Sequence, residues 1–266
     1  MRSLKKLFAL FCALCISLTF FVTVSASSEC KIYNWYCVRR SGNVQPSCEK
    51  NMEFIENYNA YYIDKNHGDN SSDKVVYLTF DAGYENGNVA KILDAMKQEN
   101  VTGAFFILSH LVESNTDLVR RMADEGHLVC NHTSRHRDMT KYHSKEEFTA
   151  ELKALESIYT EKTGKRMSPY YRAPEGKFTE ENLKFASELG DKTVFWSFAY
   201  ADWDNEHQMS HSAARKKILD NIHNGAVLLL HPTSATNAAI LGDVIRTLKG
   251  MGYRFGTLDE LTGGVT

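Results

Sequence analysis

Residues 75–83 read VVYLTFDAG, an apolar, β-branched run that stops on a carboxylate, Asp81, and then on a chemically silent Ala82. Later apolar runs end in the same way. LVCN leads into HTSRH, with His132 and His136; PYYR closes on Arg172; TVFWSFA runs on to YADW, with Asp202 and Trp203; AVLLL ends at His231. A His-x-x-x-His pair at helical spacing shares one face and can hold one divalent ion. Such an ion polarises a carbonyl and activates water. Asp81 can accept the water's proton, and His231 can donate one to a departing amine. Arg172 beside Asp81 keeps the carboxylate ionised, and Asp202 orients His231 and favours its charged form. No serine or cysteine stands in a GxSxG-type elbow, so the set reads as metal-assisted hydrolysis of an amide or ester by water. Taken singly, each residue has a plainer role as turn former, helix cap or satisfied histidine. That plainer role is assigned to His67, His110, His127, His143, His207, His211 and His223.

The elements that must bring these residues together alternate. Strands are expected at 75–80, 102–108, 127–131, 169–172, 193–199, 226–230 and 253–258. Helices are expected between them, at 87–99, 116–126, 144–164, 179–190 and 210–225. Thr116 is read as a cap, Ser144 with Glu147 as a capping box, and Gly126 and Gly164 as stops. Strands alternating with helices imply a parallel α/β sheet, and continuous apolar strands imply one buried on both faces. Seven such units favour a closed or nearly closed barrel, whose site lies at the C-terminal strand ends, where the polar residues fall.

The chain has 266 residues, 43% apolar and 24% charged, with a net charge of −2, so no basic surface calls for nucleic acid. Residues 1–26 pair a basic start with an apolar run and a small-residue VSA, the pattern of a secretory signal; an uncleaved membrane anchor is the alternative. Residues 27–73 read as an N-terminal extension and linker whose aromatic YNWY cluster packs onto the domain at 74–266. In an exported chain, one disulfide among Cys30, Cys37 and Cys48 is expected, with Cys130 inert in a strand.

The motifs TFDAG (79–83), HTSRH (132–136), RAPEG (172–176), Asp202-Trp203 and LLLH (228–231) occur in order. Together they resemble the five motifs of the polysaccharide deacetylase family, the NodB-homology carbohydrate esterases. The resemblance implies a distorted (β/α)7 barrel that removes an acetyl group from a glycan. It assigns Asp81 as general base and His231 as general acid, supported by Arg172 and Asp202, and His132 and His136 as ligands of a divalent metal, zinc being the expected ion. Trp203 and Leu230 are expected to wall the acetyl pocket, with a backbone N–H near Glu175 at the oxyanion. The stretches TFDAGYENG, VTGAFF, RMADEGH and TVFWS resemble the delta-lactam-forming branch, and add Tyr84 to the substrate contacts. That branch de-N-acetylates N-acetylmuramic acid already stripped of peptide, and the freed amine closes to muramic δ-lactam in the spore cortex. It implies action on peptidoglycan strands after a separate muramoyl amidase; the signal-like start places the chain outside the cytoplasmic membrane, and a monomer is expected. Ala82 departs from the pattern: most relatives carry there a second Asp, the third metal ligand. Other readings are deacetylation of chitooligosaccharide, xylan or peptidoglycan N-acetylglucosamine, or a catalytically inactive glycan-binding homologue.

Overall fold

The structure, a computed structural model, describes residues 31–40 and 42–263. The signal-like segment 1–26 and Cys30 lie outside the described residues. Four short strands come first: β1 (Ile32–Asn34), β2 (Cys37–Val38), β3 (Ser47–Cys48) and β4 (Ala60–Tyr61). β5 (Lys74–Ala82), β6 (Ala104–Ile107), β7 (Leu128–Asn131) and β8 (Tyr170–Tyr171) follow. β9 (Lys177–Thr179), β10 (Lys192–Val194), β11 (Ala226–Leu230) and β12 (Tyr253–Phe255) complete the set.

The main sheet is parallel, in the order β11-β5-β6-β7-β8-β10-β4, with β12 also paired to β5. Bridges from Ile63 to Ala226 and from Phe198 to Leu228 bring its two ends together. The result is a curled α/β barrel of the expected kind. Its terminal strand is β4, from the segment read as extension, whereas the 253–258 run pairs only along β5. The regular strand of the 193–199 run ends at Val194, and the residues after it cross from β4 to β11, with the Phe195 N–H on the Tyr61 carbonyl and the Phe198 N–H on the Val227 carbonyl.

Side chains alternate across each strand. On β5, Val76, Leu78, Phe80 and Ala82 face the apolar layer under the helices, while Val75 and Tyr77 belong to the inner cluster. On β11, Leu228 and Leu230 face the helix layer and Val227 faces inward. The same alternation turns Thr79 and Asp81 into the barrel interior, so the carboxylate stands at the top of the inner column above Thr79, Tyr77 and Val75.

Helices lie at Val89–Gln98, Ser109–Ser114, Thr116–Asp124, Lys145–Thr163, Glu180–Glu188, His211–Asn221, Ala235–Gly250 and Leu258–Leu261. Ser144 caps its helix by accepting from the Glu147 N–H, and Gly164 ends it at φ 72°. Thr116 is not a cap: its hydroxyl donates back to the Val112 carbonyl at 2.7 Å, inside a continuous pair of short helices. The helix Ala235–Gly250 was not among the expected elements; it buries Ile240, Leu241, Val244, Ile245 and Leu248 against the sheet.

The N-terminal aromatics are packing residues. β1 pairs with β9, and Tyr33 stacks on Phe178. Trp35 lies 4.4 Å from the Phe195 ring, its Nε1–H donates to the Trp196 carbonyl at 2.8 Å, and its backbone N–H donates to the Gly176 carbonyl at 2.8 Å. A Trp35→Ala variant should therefore lose about 3 kcal/mol of stability in urea unfolding, the cost of a large core cavity. Loss of less than about 1 kcal/mol would show that the segment is not part of the core. Cys37 and Cys48 oppose each other on β2 and β3 as buried free thiols, so no disulfide joins them in the structure. The Cys37 thiol instead donates to the Trp196 carbonyl, and burial pushes it up to about 12. Cys130 is buried and free in β7.

Candidate active site

At the C-terminal end of the barrel a cavity of about 790 Å³ is lined by Asp81, Tyr84, His132, His136, Glu175, Trp196, Trp203, Leu229 and His231, among others. Arg172 and Asp202 stand behind this lining as fully buried supports. Asp81 and His231 thus share one cleft.

Arg172 is 0% exposed and spends its donors on fixed acceptors. Its Nε–H reaches the Val194 carbonyl at 2.8 Å, Nη2 reaches Thr79 Oγ1 at 2.8 Å, and Nη1 reaches Asp81 Oδ1 at 2.7 Å. The guanidinium lies 4.0 Å from the Phe106 ring centre, over the inner apolar column. Burial alone would raise the Asp81 carboxyl; the charges of Arg172 and His231 and the Arg172 hydrogen bond outweigh it and hold the group below the usual carboxylate range. A base that is ionised and aimed into the cavity results.

His231 follows β11, so it shares a face with Leu229 and not with Leu230. Its Nδ1–H donates to Asp202 Oδ1 at 2.7 Å, and its backbone N–H donates to Asp202 Oδ2 at 2.8 Å. Burial would lower the ring, but the Asp202 hydrogen bond and the charges of Asp202 and Asp81 raise it above the ordinary histidine value. With Nδ1 committed, Nε2 is the nitrogen left for the cavity.

The histidine pair is not helical. Thr133 and His136 both take left-handed backbone, at φ 72° and 53°, in a tight turn after β7. Asn131 Oδ1 accepts the Thr133 N–H and Thr133 Oγ1 accepts the His136 N–H, each at 2.9 Å. Buried Glu151, on the helix Lys145–Thr163, holds the Arg135 N–H at 2.9 Å and its guanidinium at 2.8 Å. This turn brings the two rings to 5.0 Å between centres. His132 Nδ1–H donates to the Arg172 carbonyl at 2.9 Å, which leaves Nε2 with its lone pair, 3.5 Å from Asp81 Oδ2. Burial drives the His132 ring down to about 4, so it is neutral, as a metal ligand must be.

These donors fit a divalent ion held by two imidazoles. Ala82 is buried in the apolar layer and brings no ligand, and among the described residues no three His, Cys, Asp or Glu groups form a closed metal cluster. A third protein ligand of the kind expected at position 82 is missing.

Trp203, 64% exposed, and Tyr84 stand at the mouth, with the Asn205 amide donating to the Tyr84 hydroxyl at 2.7 Å. Glu175 is held at φ 58°, and the next residue, Gly176, is so close to Trp196 that a Cβ there would lie 2.7 Å from the indole. The Gly176 N–H is taken by the Ala173 carbonyl, and Glu175 lines the cavity. Leu230 is not a pocket wall: it is 1% exposed in the helix-facing layer, and Leu229 lines the cavity in its place. Sequence reasoning also missed Trp196, Thr79 and Glu151. The alternation of AVLLLH could have identified Leu229; no local signal marks Glu151.

The pattern of the polysaccharide deacetylase family matches residues 68–194. The chain belongs to this family, the family 4 carbohydrate esterases, hydrolases of carbon–nitrogen bonds other than peptide bonds and generally dependent on a divalent metal. It is 37% identical to the Bacillus subtilis peptidoglycan-N-acetylmuramic acid deacetylase PdaA over 94% of this chain and 94% of that protein. The solved structure of Bacillus subtilis PdaA superposes with a TM-score of 0.82, at 38% identity, covering 88% of this chain and 97% of the other. A Bacillus cereus peptidoglycan-N-acetylglucosamine deacetylase is 33% identical over 70% of this chain and 67% of its own.

Proposed function

We propose that the chain removes the N-acetyl group from N-acetylmuramic acid in peptide-free peptidoglycan strands, leading to muramic δ-lactam. The deacetylase reading rests on one observation above the others: an ionised Asp81 and a charged His231, each held by its own buried partner, open on the same cavity. The choice of muramic acid is supported by the near full-length similarity to PdaA.

In this reading the acetamido group enters between the two residues. Asp81 takes a proton from water as the water oxygen attacks the carbonyl carbon. His231 Nε2–H protonates the nitrogen as the carbon–nitrogen bond breaks, giving acetate and a free amine. The Glu175 N–H stabilises the oxyanion. His132 and His136 would hold a divalent ion, zinc being the proposed one, which would supply Lewis-acid polarisation of the carbonyl. The amine then attacks the lactyl carboxyl of the same sugar, losing water to form the lactam. Trp203 and Tyr84 offer aromatic faces to the sugar rings. An exported location and prior action of a muramoyl amidase complete the proposal; the amidase supplies the free lactyl carboxylate.

Two tests follow. Equilibrium dialysis with zinc should show binding that is lost in His132→Ala and in His136→Ala; equal binding by both variants would remove the two rings from the metal site. The pH profile of kcat should be a bell. Its acid limb lies below the usual carboxylate range, because Asp81 must be ionised, and its alkaline limb above the ordinary histidine value, because His231 must be charged. Asp202→Asn removes the anion that keeps His231 charged, so its alkaline limb should move to lower pH. An unmoved limb would show that another group supplies the proton.

A further inference from the structure

The Asp202 carboxylate is 1% exposed, and both its oxygens are engaged. Besides the two bonds to His231, Oδ2 accepts from Asn237 Nδ2 at 2.6 Å. Asn237 is itself 1% exposed, in the first turn of the helix Ala235–Gly250. Its backbone N–H is capped by Ser234 Oγ at 3.1 Å, and Nδ2 also reaches the His231 carbonyl at 3.2 Å. Its Oδ1 accepts the Tyr200 hydroxyl. The amide has one allowed orientation: turned over, it would set Oδ1 against a carboxylate oxygen at the same short distance, acceptor against acceptor. Tyr200, by donating to Oδ1, reinforces the orientation that gives Asp202 an N–H. Gln208 secures the backbone on the other side, with Nε2 donating to the Asp202 carbonyl at 3.0 Å and Oε1 accepting from Ser234.

We propose that Asn237 is a positioning residue for the deacetylation. It prevents rotation of the Asp202 carboxylate, so that Oδ1 stays on His231 Nδ1–H and Nε2 stays aimed at the leaving nitrogen. Tyr200 acts one step further out, by fixing the Asn237 amide. The role extends the proposed acid–base pair; Asn237 is not among the residues lining the cavity, whereas Tyr200 is. A hydrogen bond from the amide to a carboxylate is among the stronger kinds, and its removal leaves a buried oxygen short of a donor.

The test pairs acetate-release kinetics on N-acetylated peptidoglycan strands with the low-field proton resonance of His231 Nδ1–H, assigned by its absence in His231→Gln. In Asn237→Ala, kcat should fall about thirtyfold with KM within about twofold, the worth of one hydrogen bond to a charged group, and the resonance should broaden beyond detection. Tyr200→Phe, which keeps the packing, should lower kcat about threefold and broaden the same resonance. A resonance as sharp as in the wild type, or a kcat reduced less than about threefold in Asn237→Ala, overturns the assignment. If that variant does not fold, an unchanged kcat or resonance in Tyr200→Phe does so. The resonance needs no substrate, so absence of turnover on the glycan would strike the proposed function and leave the Asn237 assignment standing.

Discussion

Asp81→Asn should lower kcat by about three orders of magnitude and leave KM within about twofold, the signature of losing a group that acts only as the transition state forms. Asparagine keeps the shape of the side chain and cannot take a proton from water. The same change also leaves Arg172, which has no exposed surface, without its anion. Its remaining partners are the Val194 and Phe195 carbonyls, Thr79 and the Phe106 ring. An uncompensated buried charge costs about 3 kcal/mol or more, so urea unfolding should show destabilisation beside the catalytic loss. Restoring stability by a second-site change should not restore the rate. A variant with a near-wild-type rate would remove Asp81 from the role of base.

The reverse cut, Arg172→Met, isolates the support from the base. Methionine fills part of the same volume and lies against Phe106, but Asp81 loses its strongest counter-charge. Burial, the largest influence on Asp81, then acts with much less opposition, and the carboxyl rises. In the wild type the depressed carboxyl contributes stability that is present above its unfolded value and lost as pH falls through its folded value. In Arg172→Met that contribution reverses, and about 3–5 kcal/mol of stability should be lost near neutral pH. The acid limb of the kcat profile should move to higher pH, toward the alkaline limb of His231, so the bell narrows and its peak falls by about two orders of magnitude. The rate lost at low pH should recover as pH rises, until His231 loses its proton. A limb that stays in place would mean that Arg172 does not set the charge of Asp81.

These two residues were legible in the sequence because each ends an apolar strand. In a parallel barrel a charged residue there lies at the rim where the loops converge. Leu229 and Leu230 show the limit of reading by motif: the motif puts Leu230 next to the acid, whereas strand alternation turns Leu230 outward and Leu229 inward. The histidines were found by their spacing but for a reason that does not hold. Left-handed backbone at Thr133 and His136, secured by Asn131 and by distant Glu151, brings the rings together where a helical turn was expected. The packing of the YNWY aromatics was legible, but β4 was hidden for a different cause. Two-residue strands carry no periodicity, and their places are set by partners more than a hundred residues along the chain. The helix Ala235–Gly250, with its Ser234 cap and apolar spacing, carried a local signal that went unread, and with it Asn237.

The most direct measurement is mass spectrometry of peptide-free peptidoglycan strands after incubation with the protein and a divalent ion, with Asp81→Asn alongside. The account expects acetyl loss confined to the muramic residues, with dehydration to the lactam, in the wild-type reaction alone. Acetyl loss from the glucosamine residues instead, or equal product from the Asp81→Asn protein, would contradict it.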